Sequence, residues 1–208
     1  MQLVRTSRAA AFVLFAVAGS AADSAEKIRD TSPNGKFAVC ISYDSEANQK
    51  LVESNKAAPG TVFGDAVQTI DLIALPGKEP VEHLVGERAN GFSLDDIAVV
   101  WSPDSRAFAL YQAENRVSYL TIEELSNGKF VVVSEPDTLS VDVKEAFTQK
   151  VRPVRWLKPG VLLLEETATF RNQRPPVTLQ LTGAKDAQTG KYKIISQKRV
   201  RRPGKGRG

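Results

Sequence analysis

Two stretches decide the fold: SPNGKFAVCISYD, from Ser32 to Asp44, and WSPDSRAFALYQ, from Trp101 to Gln112. Each carries Ser-Pro at or next to its start, continues through Asn-Gly or Asp-Ser to a basic residue, and then runs into apolar side chains. Proline presets φ for a turn, and Asn34-Gly35 supplies residues that tolerate positive φ. After that turn Phe37, Val39, Ile41 and Tyr43 alternate with Ala38, Cys40 and Ser42. Period two is the mark of a strand, here with one bulky face and one small face. Small side chains let a second sheet approach closely, so cover is expected on both faces.

The same grammar spreads outward from both stretches. QTIDLIAL (68–75) is strand-like and ends at Pro76-Gly77-Lys78, after which PVEHLVGE follows. In a second block DDIAVVW leads into Ser102-Pro103-Asp104-Ser105-Arg106, then AFALYQ and VSYLTIEEL, and Asn127-Gly128-Lys129 turns the chain into FVVVSEP. Asn-Gly between two alternating runs is a strong hairpin signal. A looser third block starts at Val151: VRPVRW, the turn Lys158-Pro159-Gly160, VLLLEETATF, the loop RNQRPP, VTLQLTG, the turn Thr189-Gly190-Lys191, and YKIISQKRV. Each block reads strand, Pro turn, strand, variable loop, strand, Gly-Lys turn, strand. Self-similarity of this kind predicts a repeat architecture. Each copy leaves an apolar face that only a neighbour can cover, so the copies are expected to stack. Trp101 and Trp156 both stand just before the Pro turn, and their matched places argue for core packing rather than a recognition face shared with Tyr43, Tyr111 and Phe92.

SPNGK and WSPDSR, each leading into an apolar strand, resemble the turn-and-strand signature of TolB-type and WD-repeat-like β-propeller blades. TIDLIALPGKEPVEHLVGE and SYLTIEELSNGKFVVVSEP resemble the outer hairpin of such blades. The third block departs, because Lys158-Pro159-Gly160 lacks the Ser, the Asn or Asp, and the basic residue after them. The first block has no Trp before its Ser-Pro. Propellers close with about 4 to 8 blades, whereas the sequence offers three copies. An open array, a ring completed by another chain and a β-sandwich with blade-like hairpins all remain open at this point. The expected fold class is all-β: three blade-like four-stranded antiparallel repeats, as an open or incomplete propeller, with a β-sandwich as the alternative. SEANQKLVESNKAAPG reads equally as a short surface helix or a long loop, and VDVKEAFTQK as one or two helical turns.

Residues 1–22 read as a secretory signal peptide: Arg5 and Arg8, the uncharged run AAAFVLFAVAG, then small residues, with cleavage near Ala22. The run is shorter than the roughly 20 residues a membrane span needs, and no later stretch is apolar for long enough. A secreted or periplasmic protein follows, with one β-repeat domain over 23–197 and a basic disordered tail over 198–208. The formal charge of +4 misdescribes the body. The last eleven residues, KRVRRPGKGRG, hold six basic groups and no acidic one. Without them and the two leader arginines, 20 basic side chains face 24 acidic ones. A basic tail on a mildly acidic body is not a basic groove. Cys40 is the only cysteine, which precludes an internal disulfide and suits a small buried residue.

The chemistry on offer is sparse. His83 is the only histidine, no Gly-x-Ser-x-Gly elbow accompanies it, and one His with one Cys does not make a zinc site. Asp95, Asp96 and Asp104 do not fall into a calcium loop. Asp95-Asp96, Glu123-Glu124 and Glu165-Glu166 suggest paired carboxylates, but neighbours on a strand point to opposite faces. No phosphate or dinucleotide loop is present. No catalytic, cofactor or metal residue is therefore assigned. The remaining candidates are basic: Arg171 and Arg174 in the loop FRNQRPP, and Arg199, Arg201 and Arg202 in the tail, facing an unidentified protein or an acidic surface. No aromatic is interleaved past Tyr192, so nucleic acid is not expected. The expectation is an exported, non-catalytic protein-binding or scaffold module, since loops on a rigid scaffold commonly carry recognition. The alternatives are a hydrolase working through acidic residues or one part of an oligomeric propeller.

Overall fold

The computed structural model describes residues 23–85, 94–113, 116–134, 138–171 and 174–200. The leader, Phe92, Arg201 and Arg202 lie outside the described residues. Among the described residues the fold is all-β, with three antiparallel sheets of four consecutive strands. The first holds β1 (Ser24–Arg29), β2 (Phe37–Asp44), β3 (Val67–Ala74) and β4 (Glu79–Val85). The second holds β5 (Ile97–Trp101), β6 (Ala107–Ala113), β7 (Ser118–Ser126) and β8 (Lys129–Ser134). The third holds β9 (Thr148–Lys158), β10 (Val161–Thr169), β11 (Val177–Lys185) and β12 (Tyr192–Val200). None closes into a barrel. No helix among these residues is long and apolar enough to cross a membrane.

The sheets stack in series. Val39, Ile41 and Leu72 of the first meet Phe108, Leu110 and Phe130 of the second. Ala107, Ala109 and Ile122 of the second meet Trp156, Leu162 and Leu164 of the third. Side chains alternate across a strand, so β6 turns large residues to one neighbour and alanines to the other, where leucines fill the space. This three-layer series differs from the two-layer β-sandwich kept as the alternative. The small face of β2 is covered too, though not by another sheet. Ala38 and Cys40 are buried against Ile73 and Leu75, with an ion pair from Lys78 to Glu26 at 2.7 Å beside them.

The Ser-Pro turns are the same hydrogen-bonded cage written twice. The Ser32 hydroxyl accepts the Phe37 N–H at 3.0 Å and donates to Asn34 Oδ1 at 2.8 Å, which also accepts the Lys36 N–H at 3.0 Å. The Ser102 hydroxyl accepts the Ala107 N–H at 2.9 Å and donates to Asp104 Oδ1 at 2.6 Å, which accepts the Arg106 N–H at 3.2 Å. Burial pushes the Asp104 carboxyl up, but the Ser102 hydroxyl and backbone N–H groups outweigh it and hold the carboxyl below its ordinary value. The third turn lacks this side-chain cage and shares only a closing backbone bond. Gly160 O accepts the Lys185 N–H, as Lys36 O accepts that of Leu75 and Arg106 O that of Leu125. All three Gly-Lys corners lie in hairpins. At the second, Asn127 and Gly128 both take positive φ, 51° and 80°, as a two-residue hairpin of type I′ requires.

Two indoles staple the layers. Trp101 Nε1 donates to Asp30 O at 2.6 Å, and Trp156 Nε1 donates to Val100 O at 2.8 Å. The matched tryptophans are thus packing elements. SEANQKLVESN resolves as the helix α1 (Ser45–Asn55), capped by Asp44, which accepts the Ala47 N–H at 2.8 Å. The helical turns expected in VDVKEAFTQK do not form, and β9 begins inside that stretch at Thr148. The cause is Glu166, fully buried on β10, whose carboxylate accepts the Val141 N–H at 3.2 Å and the Gln149 amide at 2.5 Å. These bonds pin the segment open. The strand β12 also runs on through Lys198, Arg199 and Val200, beyond the boundary expected for the tail.

Candidate functional site

The far end of the third sheet, where β10 leaves and β9 enters, gathers arginines from separate connections. Arg116 comes from the β6–β7 connection, and Arg171 and Arg174 from β10–β11. Phe147, just before β9, sits among them, its N–H bonded to Thr169 O at 2.7 Å. The Arg171 guanidinium lies 4.3 Å from the centre of the Phe147 ring and that of Arg116 lies 4.6 Å from it. Both guanidinium groups thus lie over the same ring. Arg174 stacks on Phe170 at 4.3 Å. The backbone ties the parts together, because Arg116 O accepts the Gln149 N–H at 3.2 Å.

A hollow of about 500 Å³ opens beside Phe147, lined by Arg116, Glu145, Ala146, Phe147 and Arg171. Glu145 holds a left-handed backbone, φ 65°, which costs a non-glycine residue energy and is commoner at functional positions. Its carboxylate stands 3.9 Å from Arg174 Nη1, the outer limit of an ion pair. Arg116 and Arg171 have no carboxylate partner among the described residues. A guanidinium stacked on a ring still points its N–H fork outward, where it can grip a carboxylate bidentately. Arg199 lies at the same end of the sheet and borders a second hollow with Pro175, Pro176 and Val200.

Of the basic residues singled out from sequence, Arg171, Arg174 and Arg199 are therefore brought to one end, and Arg201 and Arg202 lie outside the described residues. Sequence reasoning missed Arg116 and Phe147. They belong to different repeats from each other, and neither stands in a motif, so only the folded chain juxtaposes them.

The acidic pairs separate as strand geometry requires. Glu165 pairs with Arg152 at 2.8 Å on the outer face, while Glu166 turns into the second core. Glu124 meets Lys185 and the Tyr192 hydroxyl on one side of the second sheet. Glu123 turns the other way and shares a hydrogen bond with Glu82 of β4. Burial, and then the bond and charge of Glu82, push the Glu123 carboxyl up to about 8. Glu123 is only 3% exposed while Glu82 is half-buried, and carboxyls within hydrogen-bond reach leave no room for a sugar between them. His83 Nδ1 contacts Asp71 Oδ1 at 2.5 Å on an exposed part of the first sheet. Asp104 is committed to its turn. Cys40 is free, and burial, followed by Glu26, pushes its thiol up. Among the described residues no three His, Cys, Asp or Glu converge as metal ligands.

No protein-family model matches the chain, and no curated protein matches it either. What the chain shares with blade-like repeats is architectural: three four-stranded antiparallel sheets of similar size.

Proposed function

We propose that this chain is an exported, non-catalytic module of TolB- or WD-type β-units that binds an acidic segment of another protein at the arginine-rich end of its third sheet. One observation carries the reading. Arg116 and Arg171 both stack on the Phe147 ring with no carboxylate of their own among the described residues. Ordering a long cationic side chain costs entropy, and here the ring has already met that cost before any ligand arrives. Preorganised donors convert more of their hydrogen bonding into affinity. The leader supports delivery to a secreted or periplasmic location, where the basic tail with Arg201 and Arg202 adds long-range attraction to an acidic partner.

The test is fluorescence anisotropy with a labelled oligoglutamate peptide and the full mature chain. Binding is expected to weaken about ten-fold or more in Arg116→Ala/Arg171→Ala, the loss of one to two charge-assisted contacts. Deleting the tail should lower the association rate and leave the dissociation rate nearly unchanged. Equal affinity of the double variant and the native chain refutes the site.

A further inference from the structure

The two outer layers of the stack end differently, and the difference identifies a second surface, independent of the arginine-rich end. In each internal junction a tryptophan of the later unit hooks a backbone carbonyl of the earlier one: Trp101 onto Asp30, Trp156 onto Val100. The acceptors are equivalent, because each immediately precedes the position that holds Trp in the second and third units. In the first unit that position is Thr31. The outward face of the first sheet is also finished in other ways. Ala38 and Cys40 are closed over by Ile73 and Leu75, and the face carries the ion pairs Glu26–Lys78 and Asp71–His83. Ile28 is the exposed apolar side chain on this face, and a terminal repeat with small buried residues and a largely polar outer surface is a cap.

The third sheet has no such finish. Leu162, Leu164 and Ala168 of β10 are buried toward the second sheet, so Val161, Leu163 and Thr167 turn outward, only half-buried. Arg155 and Lys158 of β9 lie in register beside Leu163 and Val161. The one acid in that central row, Glu165, is already bonded to Arg152. Arg155 O is the equivalent of Asp30 O and Val100 O, and among the described residues no side chain donates to it. Two bulges in β9 displace Val154 and Leu157 from the ladder, leaving each 46% exposed.

We infer that the outward face of the third sheet is a docking surface for an acidic β-sheet of another protein, which continues the stack by one layer. The apolar centre of Val161 and Leu163 provides the burial, Arg155 and Lys158 select the charge, and Arg155 O is left for a donor of the incoming layer. Two sheets packed face to face lie about 10 Å apart, close enough for cations on one to meet acids on the other. A second copy of this chain is the wrong occupant. Face against face, it brings Arg155 and Lys158 toward their own likeness. Against the first sheet, it meets the cap and Thr31.

The test makes the acidic sheet from the protein itself. Lys150 lies in register beside the outward-facing Thr167, and Lys150→Glu/Arg155→Glu/Lys158→Glu has the same shape with reversed charge. Sedimentation velocity should show the native chain and the variant each monomeric alone, and a 1:1 complex when mixed at low salt that dissociates as salt rises. The same complex should form when the native partner carries Arg116→Ala/Arg171→Ala; if it does not, the acidic variant was binding at the arginine-rich end and the sheet-docking inference fails while that site stands. No complex in the mixture, or a dimer of the native chain alone that Arg155→Glu abolishes, also overturns it. The single variant Arg155→Glu serves as the reversed partner if the triple variant does not fold.

Discussion

The indole N–H of Trp156 reaches across from the third sheet to the carbonyl of Val100 in the second, at 2.8 Å. The bond lies within a core where Trp156 also meets Tyr192 edge to face. Replacing Trp156 with Phe keeps most of the apolar area but orphans Val100 O, and should cost about 1–3 kcal/mol. Trp156→Ala adds a cavity and should cost about 3–5 kcal/mol. Urea unfolding followed by circular dichroism measures both. Trp101→Phe should behave like Trp156→Phe, whereas Thr31→Trp should bring no gain, since among the described residues no earlier layer offers a carbonyl.

The Glu82–Glu123 contact makes stability depend on pH. Glu123 ionises near 8 in the fold against 4.5 ordinarily, so between those values the folded chain holds a proton that the unfolded chain releases. Stability from this group is complete below about 4.5 and falls as pH rises to about 8, by a few kcal/mol at most. Glu123→Gln should flatten this decline and exceed the native chain in melting temperature at pH 9. A decline of the same size in the variant refutes the assignment.

A methyl group at Gly183 on β11 would press on Leu139. A Cβ there stands 3.1 Å from Leu139 Cδ2, and Leu139 is fully buried. Gly183→Ala should therefore destabilise by about 1–3 kcal/mol through overpacking. Gly183→Ala/Leu139→Ala should recover little, because shortening Leu139 opens a cavity in place of the clash. Differential scanning calorimetry on both variants decides.

Ser102 and Ser32 should be equally sensitive. Ser102→Ala removes the acceptor of the Ala107 N–H and the donor to Asp104, a loss of about 1–2 kcal/mol. Ser32→Ala should fall in the same range, since its bonds are the same. A variant pair that differed strongly would show that the two turns are alike only in outline.

The alternation from Phe37 to Tyr43 and the Asn127-Gly128 corner made strands and hairpins legible, because strand pairing and turn type are local. The serial stack was half legible: Trp101 and Trp156 marked equivalent places, but their acceptors are backbone atoms, which every residue carries. VDVKEAFTQK misled, since its helical polarity is overridden by Glu166, a residue from another strand. Similarly, Arg171 and Arg174 stood out as a basic loop, while the Phe147 ring that orders Arg171 and the Arg116 stacked on the same ring come from other connections in the chain. Contacts between layers depend on which side chains turn inward together, and that is decided only when the sheets meet.

The strand β6 gives Phe108 and Leu110 to one neighbour and Ala107 and Ala109 to the other. Unfolding either flank strips water-averse surface from this central ribbon, so the chain should melt as a unit rather than layer by layer. Its amides should be the last to trade their hydrogens for deuterium, and proteolytic trimming of the outer sheets should produce no surviving fragment.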